Sequence, residues 1–116
     1  MMLLPSSVRI YLAREPADMR KSIDGLSALV QQSMKVDIYS GHLFVFLSKR
    51  RDRAKILYWD NGGFALFYKR LERGCFQRPV LAKDGEAFVL EASQLTMLLD
   101  GLEVLPAPSK RWLPPR

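Results

Sequence analysis

The chain has 116 residues, 48% hydrophobic and 26% charged, with a formal net charge of +6. That length builds one domain with a modest core, and that balance excludes a disordered tail. No apolar run approaches the roughly 20 residues needed to span a bilayer, residues 1–5 carry no charged leader, and a single cysteine, Cys75, excludes an internal disulfide; the expectation is a soluble protein of a reducing cytoplasm.

Residues 8–12 alternate in character like a half-buried strand. Pro16 and Asp18 predict a helix start, with the Asp18 carboxylate as N-cap. Met19, Ile23, Leu26 and Val30 follow at steps of four, three and four, which stacks them on one helical face. Gly25 weakens such a helix by about 1 kcal/mol against Ala, which predicts close packing on a sheet. Residues 37–41 form a loop. Residues 43–47 are apolar throughout and too few for a helix, so they predict a central strand. A charged turn at 48–53 leads to a strand at 55–59. Asp60, Asn61, Gly62 and Gly63 then give a tight hairpin, because Asn and Gly tolerate positive φ. The returning strand is 64–69, and residues 88–90 add another. Ser93 is the expected cap of a short final helix carrying Leu95, Leu98 and Leu99, stopped by Gly101.

These elements predict an α+β fold: an antiparallel β-meander sheet of four to five strands with two helices packed on one face. Residues 1–105 form the single domain, and 106–116 form a Pro-rich basic tail.

Residues 49–78 hold nine of the 18 basic side chains and only three of the 12 acidic ones, so they carry the entire surplus charge. Localised positive charge beside strand aromatics suits a polyanionic partner. The candidate nucleic-acid contacts are Lys49, Arg50, Arg51, Arg53, Lys55, Lys69, Arg70 and Arg73. In the turn, Arg50, Arg51 and Arg53 can fork onto phosphate oxygens while Lys49 adds a point charge. The alternative is a solvated hairpin tip, but a turn needs polarity and not a single sign of charge. Glu72 can pair locally with Lys69 or Arg73. Tyr58, Trp59, Phe67 and Tyr68 are either base-stacking platforms or cross-strand core contacts. Strand alternation puts Tyr58 and Trp59 on opposite faces, so both cannot be core.

Catalysis has little support. Asp18, Asp24, Asp60 and Glu72 are the carboxylates near these blocks. A metal-dependent phosphoryl-transfer site needs two or more acids converging on a cation. Asp18 is explained as a cap, Asp60 as a turn residue, and Asp24 as a helical partner of Arg20 four residues earlier. His42 lacks a second ligand and is structural. Cys75 has no triad partners despite its cationic surroundings. The expectation is a non-enzyme with no metal and no cofactor.

Four blocks carry a resemblance: residues 18–26 (from Asp18-Met19-Arg20-Lys21 to Gly25-Leu26), 41–46 (Gly41-His42-Leu43-Phe44-Val45-Phe46), 55–60 (Lys55 to Asp60) and 69–74 (Lys69 to Gly74). In order and spacing they resemble the TnpB accessory proteins of IS-sixty-six-type insertion sequences, encoded beside a larger DDE transposase. Ser22 replaces the family's commoner Gly, and Asn61-Gly62-Gly63 varies its turn. The resemblance implies support of DNA transposition, through DNA or the transposase complex; the expected partners are DNA and the element's transposase, with a homo-oligomer possible and no membrane. The mechanism read from the residues is DNA binding through the basic hairpin and adjoining strand. The alternative is a protein-interaction adaptor that docks on the transposase through the aromatic edge strand and tail residues Lys110, Arg111, Trp112 and Leu113, without touching DNA.

Overall fold

The computed structural model describes residues 7–78 and 87–103. Strand β1 (Ile10–Ala13) is followed by helix α1 (Ile23–Leu29), which widens into a π-helical turn (Val30–Met34). Strands β2 (Leu43–Leu47), β3 (Arg53–Asp60), β4 (Gly63–Arg70) and β5 (Ala87–Leu90) come next, and helix α2 (Ala92–Leu99) closes the order. The tail at 106–116 lies outside the described residues.

The five strands form one sheet in the order β4-β3-β2-β1-β5. β2, β3 and β4 are the expected antiparallel meander. β1, however, lies parallel to β2, with Ile10 beside Leu43 and Leu12 beside Val45, while β5 is antiparallel to β1 on its outer side. The sheet is therefore mixed. A parallel pair needs a crossover of a dozen residues or more, and the stretch holding α1 supplies it.

The helices also lie on opposite faces of the sheet, not on one. Leu26, Val30 and Met34 share a buried cluster with Phe44, Phe46 and Leu57. Leu95 and Leu98 share the other with Ile10, Leu12, Leu43, Val45, Leu47, Ala54 and Ile56. The reason is in β2 itself: all five of its residues are buried. A strand apolar at every position exposes apolar side chains on both faces and needs cover on each.

Both helix starts differ from expectation. Asp18 does not cap α1. Its Oδ1 accepts the Arg20 backbone N–H at 2.9 Å, closing a tight turn, and α1 begins only after Ser22. Glu91, not Ser93, caps α2: its side chain accepts from the backbone of Gln94 while the Gln94 side chain accepts the Glu91 N–H at 2.9 Å. Gly101 ends α2 as expected, at φ +73°, with the Leu102 N–H donating to the Met97 carbonyl at 2.9 Å. Gly25 faces the Lys21 side chain and not the sheet; a Cβ there would meet Lys21 Cβ at 3.0 Å.

Candidate nucleic-acid interface

The turn between β2 and β3 is built from inside by two polar side chains. The Ser48 N–H donates to the Arg53 carbonyl at 2.9 Å, and the Arg51 N–H donates to the Ser48 carbonyl at 2.9 Å. The Ser48 hydroxyl donates to Asp52 Oδ1 at 3.1 Å and accepts the Arg53 N–H at 3.2 Å. Ser48 is buried and Asp52 half-buried, so the remaining residues of the turn, Lys49, Arg50, Arg51 and Arg53, are turned out into solvent. Arg51 takes a left-handed φ of +61° to close the turn, a conformation that costs a side-chain-bearing residue of order 1 kcal/mol.

Across from this turn stands the 17–20 turn, held by β3. Lys55 Nζ donates to the carbonyls of Met19 at 2.9 Å and Lys21 at 2.8 Å, and lies 5.2 Å from the Tyr68 ring centroid. Between the two turns runs an open groove of about 450 Å³, lined by Asp18, Met19, Arg20, Lys49, Arg50 and Arg53. Its carboxylates are already occupied. Asp18 receives the Arg20 guanidinium in a fork, with Nη2 at 2.7 Å and Nε at 3.0 and 3.1 Å, and Asp52 serves the turn. The Arg20 hydrogen bonds and charge hold the Asp18 carboxyl well below the usual carboxylate range and push the Arg20 guanidinium up. Arg20 pairs with Asp18 and not with Asp24. Lys49, Arg50 and Arg53 have no carboxylate partner among the described residues.

The other sequence candidates divide. Arg53 and Arg70 are direct cross-strand neighbours, so their side chains share the α1 face. Arg70 meets Glu72 at 3.2 Å, an exposed pair of little energetic weight, while Arg73 is exposed. Lys69 projects to the opposite face, where Nζ donates to the Leu99 carbonyl at 2.6 Å at the end of α2, a favourable place for a cation. Arg78 donates to the Ala13 carbonyl at 3.1 Å, and burial draws its guanidinium pKa down. The cations thus gather at one end of the sheet without sharing one face, and two of the eight candidates, Lys55 and Lys69, have their ammonium groups engaged by backbone carbonyls.

The aromatics separate from this charge. Tyr58 and Phe67 pack against the core on the α2 side. Trp59 and Phe64 lie at the hairpin tip, in edge contact at 5.0 Å, with Tyr39 at 5.1 and 5.5 Å from their centroids. Of the four candidate stacking residues, Tyr68, 50% exposed, stands near the basic end; Phe76, whose N–H donates to the Arg51 carbonyl, is fully buried there. His42 is structural: Nδ1 accepts the Arg9 N–H at 3.0 Å. Among the described residues no three His, Cys, Asp or Glu side chains gather closely enough to hold a metal ion, and no helix is long and apolar enough to cross a membrane.

Arg20 is the groove residue that the periodicity concealed. Its helical spacing from Asp24 masked the shorter Asp18-to-Arg20 spacing of a turn.

The sequence falls in a recognised class of mobile-element proteins. The family pattern of IS66 Orf2-like proteins matches residues 8–108, from the start of the sheet to beyond α2, and the chain belongs to that family. It is 41% identical over 103 residues to the uncharacterised protein y4jC of Sinorhizobium fredii, covering 88% of this chain and 86% of that relative. It is 35% identical over 114 residues to y4hO of the same organism, also uncharacterised, covering 97% and 96%. No solved structure matches the chain.

Proposed function

We propose that this insertion-sequence protein is a non-enzymatic transposition accessory factor that grips DNA phosphates at the groove between the 17–20 and 48–53 turns. Lys49, Arg50 and Arg53 make the contacts, with Arg20 on the opposite wall and Arg51, Arg70 and Arg73 extending the cationic end of the sheet. The observation that carries this reading is the absence of any carboxylate partner for Lys49, Arg50 and Arg53 among the described residues, beside a groove whose two acids are already bonded. Three exposed like charges on one short turn have no stabilising role there, whereas a phosphate backbone neutralises all three. Lys55 and Lys69 act instead as staples that hold the 17–20 turn and α2 against the sheet.

The test is a gel-shift titration of the full chain with the element's terminal repeats over a range of salt. Four phosphate contacts predict a log-log salt slope of about −3.6 on duplex DNA. Flat salt dependence, or no complex at low salt, removes the reading.

A second reading has its own observation. The Tyr39–Trp59–Phe64 cluster leaves Tyr39 56% exposed at the end remote from the cations, and aromatic clusters of this kind anchor protein partners. The partner that family membership suggests is the element's transposase. Tyr39→Ala with Trp59→Ala abolishing transposase pull-down while leaving the gel shift unchanged supports this reading.

A further inference from the structure

β4 is the outermost strand on its side of the sheet. Its ladder with β3 is unbroken from Asp60 opposite Gly63 to Arg53 opposite Arg70. The Leu71 N–H continues it, donating to the Asp52 carbonyl at 2.8 Å. Residues along an antiparallel strand alternate between bonding one neighbour and presenting N–H and C=O to the other side. Leu71 bonds inward, so Phe64, Leu66, Tyr68 and Arg70 present theirs outward. Among the described residues no strand pairs with that edge. It is eight residues long, free of proline and bulges, and Phe64, Leu66 and Phe67 are only half-buried. Proteins ordinarily blunt such an edge, and here only Lys69 and Arg70 at one end do so.

We propose that this edge joins two copies of the chain, β4 against β4, antiparallel about a two-fold axis through Phe67. The charge pattern selects both the occupant and the register. Centred on Phe67, Phe64 pairs with the partner's Arg70 and Leu66 with the partner's Tyr68, so all four outward residues are used. Lys69 falls opposite the partner's Ala65, and the cationic ends sit at opposite ends of the seam. A parallel seam would align Lys69 and Arg70 with their own copies, and centring on Leu66 would set Arg70 against the hairpin loop. Directly opposed residues share a face, so each Arg70 guanidinium also reaches the partner's Tyr39–Trp59–Phe64 cluster, where aromatic faces attract a cation. The joined sheet has ten strands. The inference needs no contact with DNA, so the mass of the free chain tests it and the gel shift tests the DNA reading, each without the other.

Sedimentation velocity of the full chain at tens of micromolar tests it, with twice the 13.3 kDa chain mass expected. Leu66→Pro removes an outward N–H and no β3 ladder bond, and is expected to give a folded particle of single-chain mass. Single-chain mass for the unaltered protein overturns the proposal, and so does an intact dimer of folded Leu66→Pro. A second measurement holds if that variant does not fold. Phe67→Cys in a Cys75→Ser background places two thiols on the axis at a non-bonded pair, where Cα atoms stand about 4.5 Å apart, within reach of a disulfide. Mild oxidation is expected to cross-link this variant and to leave Val89→Cys, on the opposite edge strand, uncross-linked. Failure of Phe67→Cys to cross-link, or equal cross-linking of both, overturns the proposal.

Discussion

Arg53 and Arg70 stand directly opposite each other across the β3–β4 ladder, on the same face of the sheet. Like charges so placed are mildly destabilising, and only Arg70 has a carboxylate neighbour, Glu72. Arg53→Gln is therefore expected to leave stability unchanged or raise it by up to about 0.5 kcal/mol. It is also expected to weaken DNA binding and make the salt slope shallower by about 0.9. Urea melts alongside salt-resolved gel shifts check both halves, and a destabilised protein with unaltered DNA binding would reverse the assignment.

Lys55 predicts the opposite pattern. Lys55→Met keeps the stem and removes the donor to the Met19 and Lys21 carbonyls. The expected cost is about 1–2 kcal/mol in urea unfolding, because two charge-assisted hydrogen bonds are lost. The salt slope of the folded variant should match that of the unaltered chain if the ammonium stays on those two carbonyls.

The Asp18 carboxyl is held well below the usual range, first by its hydrogen bonds from Arg20. A carboxyl lowered by folding contributes stability that is complete above the unfolded value, near pH 3.9, and fades as pH falls toward the folded one. The stability gap between the unaltered chain and Asp18→Asn should accordingly be constant from about pH 8 to pH 5 and narrow below about pH 4. The same substitution frees the Arg20 guanidinium and removes one negative charge from the groove, so DNA affinity at neutral pH should rise. Chemical denaturation across pH and gel shifts at pH 7 measure the two effects.

Arg51 occupies the left-handed region at φ +61°. Gly enters that region without the Cβ clash, so Arg51→Gly should stabilise the fold by about 0.5–1 kcal/mol. Thermal unfolding reads this, and a lower melting temperature would mean that the Arg51 side chain contributes more than its backbone costs.

The parts of the fold legible in the sequence are those fixed by local chemistry. Asn61 and Gly62 take positive φ at the hairpin as their residue types require. The apolar run of β2 is a central strand. What escaped depended on partners distant in sequence or on competition between neighbours. Nothing local to residues 10–13 says that they pair in parallel with β2, although the unbroken apolarity of β2 already implied cover on both faces. Asp18 has the right residue type to start a helix, but the Arg20 side chain and N–H claimed its carboxylate first. Ser93 lost its capping role because Glu91, two residues earlier, forms a reciprocal pair with Gln94 and starts the helix there. Of the candidate site, the turn cations were legible from composition alone. The engagement of Lys55 and Lys69 was not, because their acceptors, Lys21 and Leu99, lie 34 and 30 residues away in the chain.

The place of β1 has a consequence for how the chain is assembled. Among the described strands β1 comes first in the chain, yet it lies inside the sheet, between β2 and β5, which comes last. Before β5 and α2 are made, residues 43–70 can close their local ladders, but β1 keeps one flank open and Ile10 and Leu12 lack the lid that Leu95 and Leu98 provide. Completion therefore waits for β5 and α2, and a nascent chain halted before β5 would present the proteolytic and chaperone machinery with an unfinished sheet.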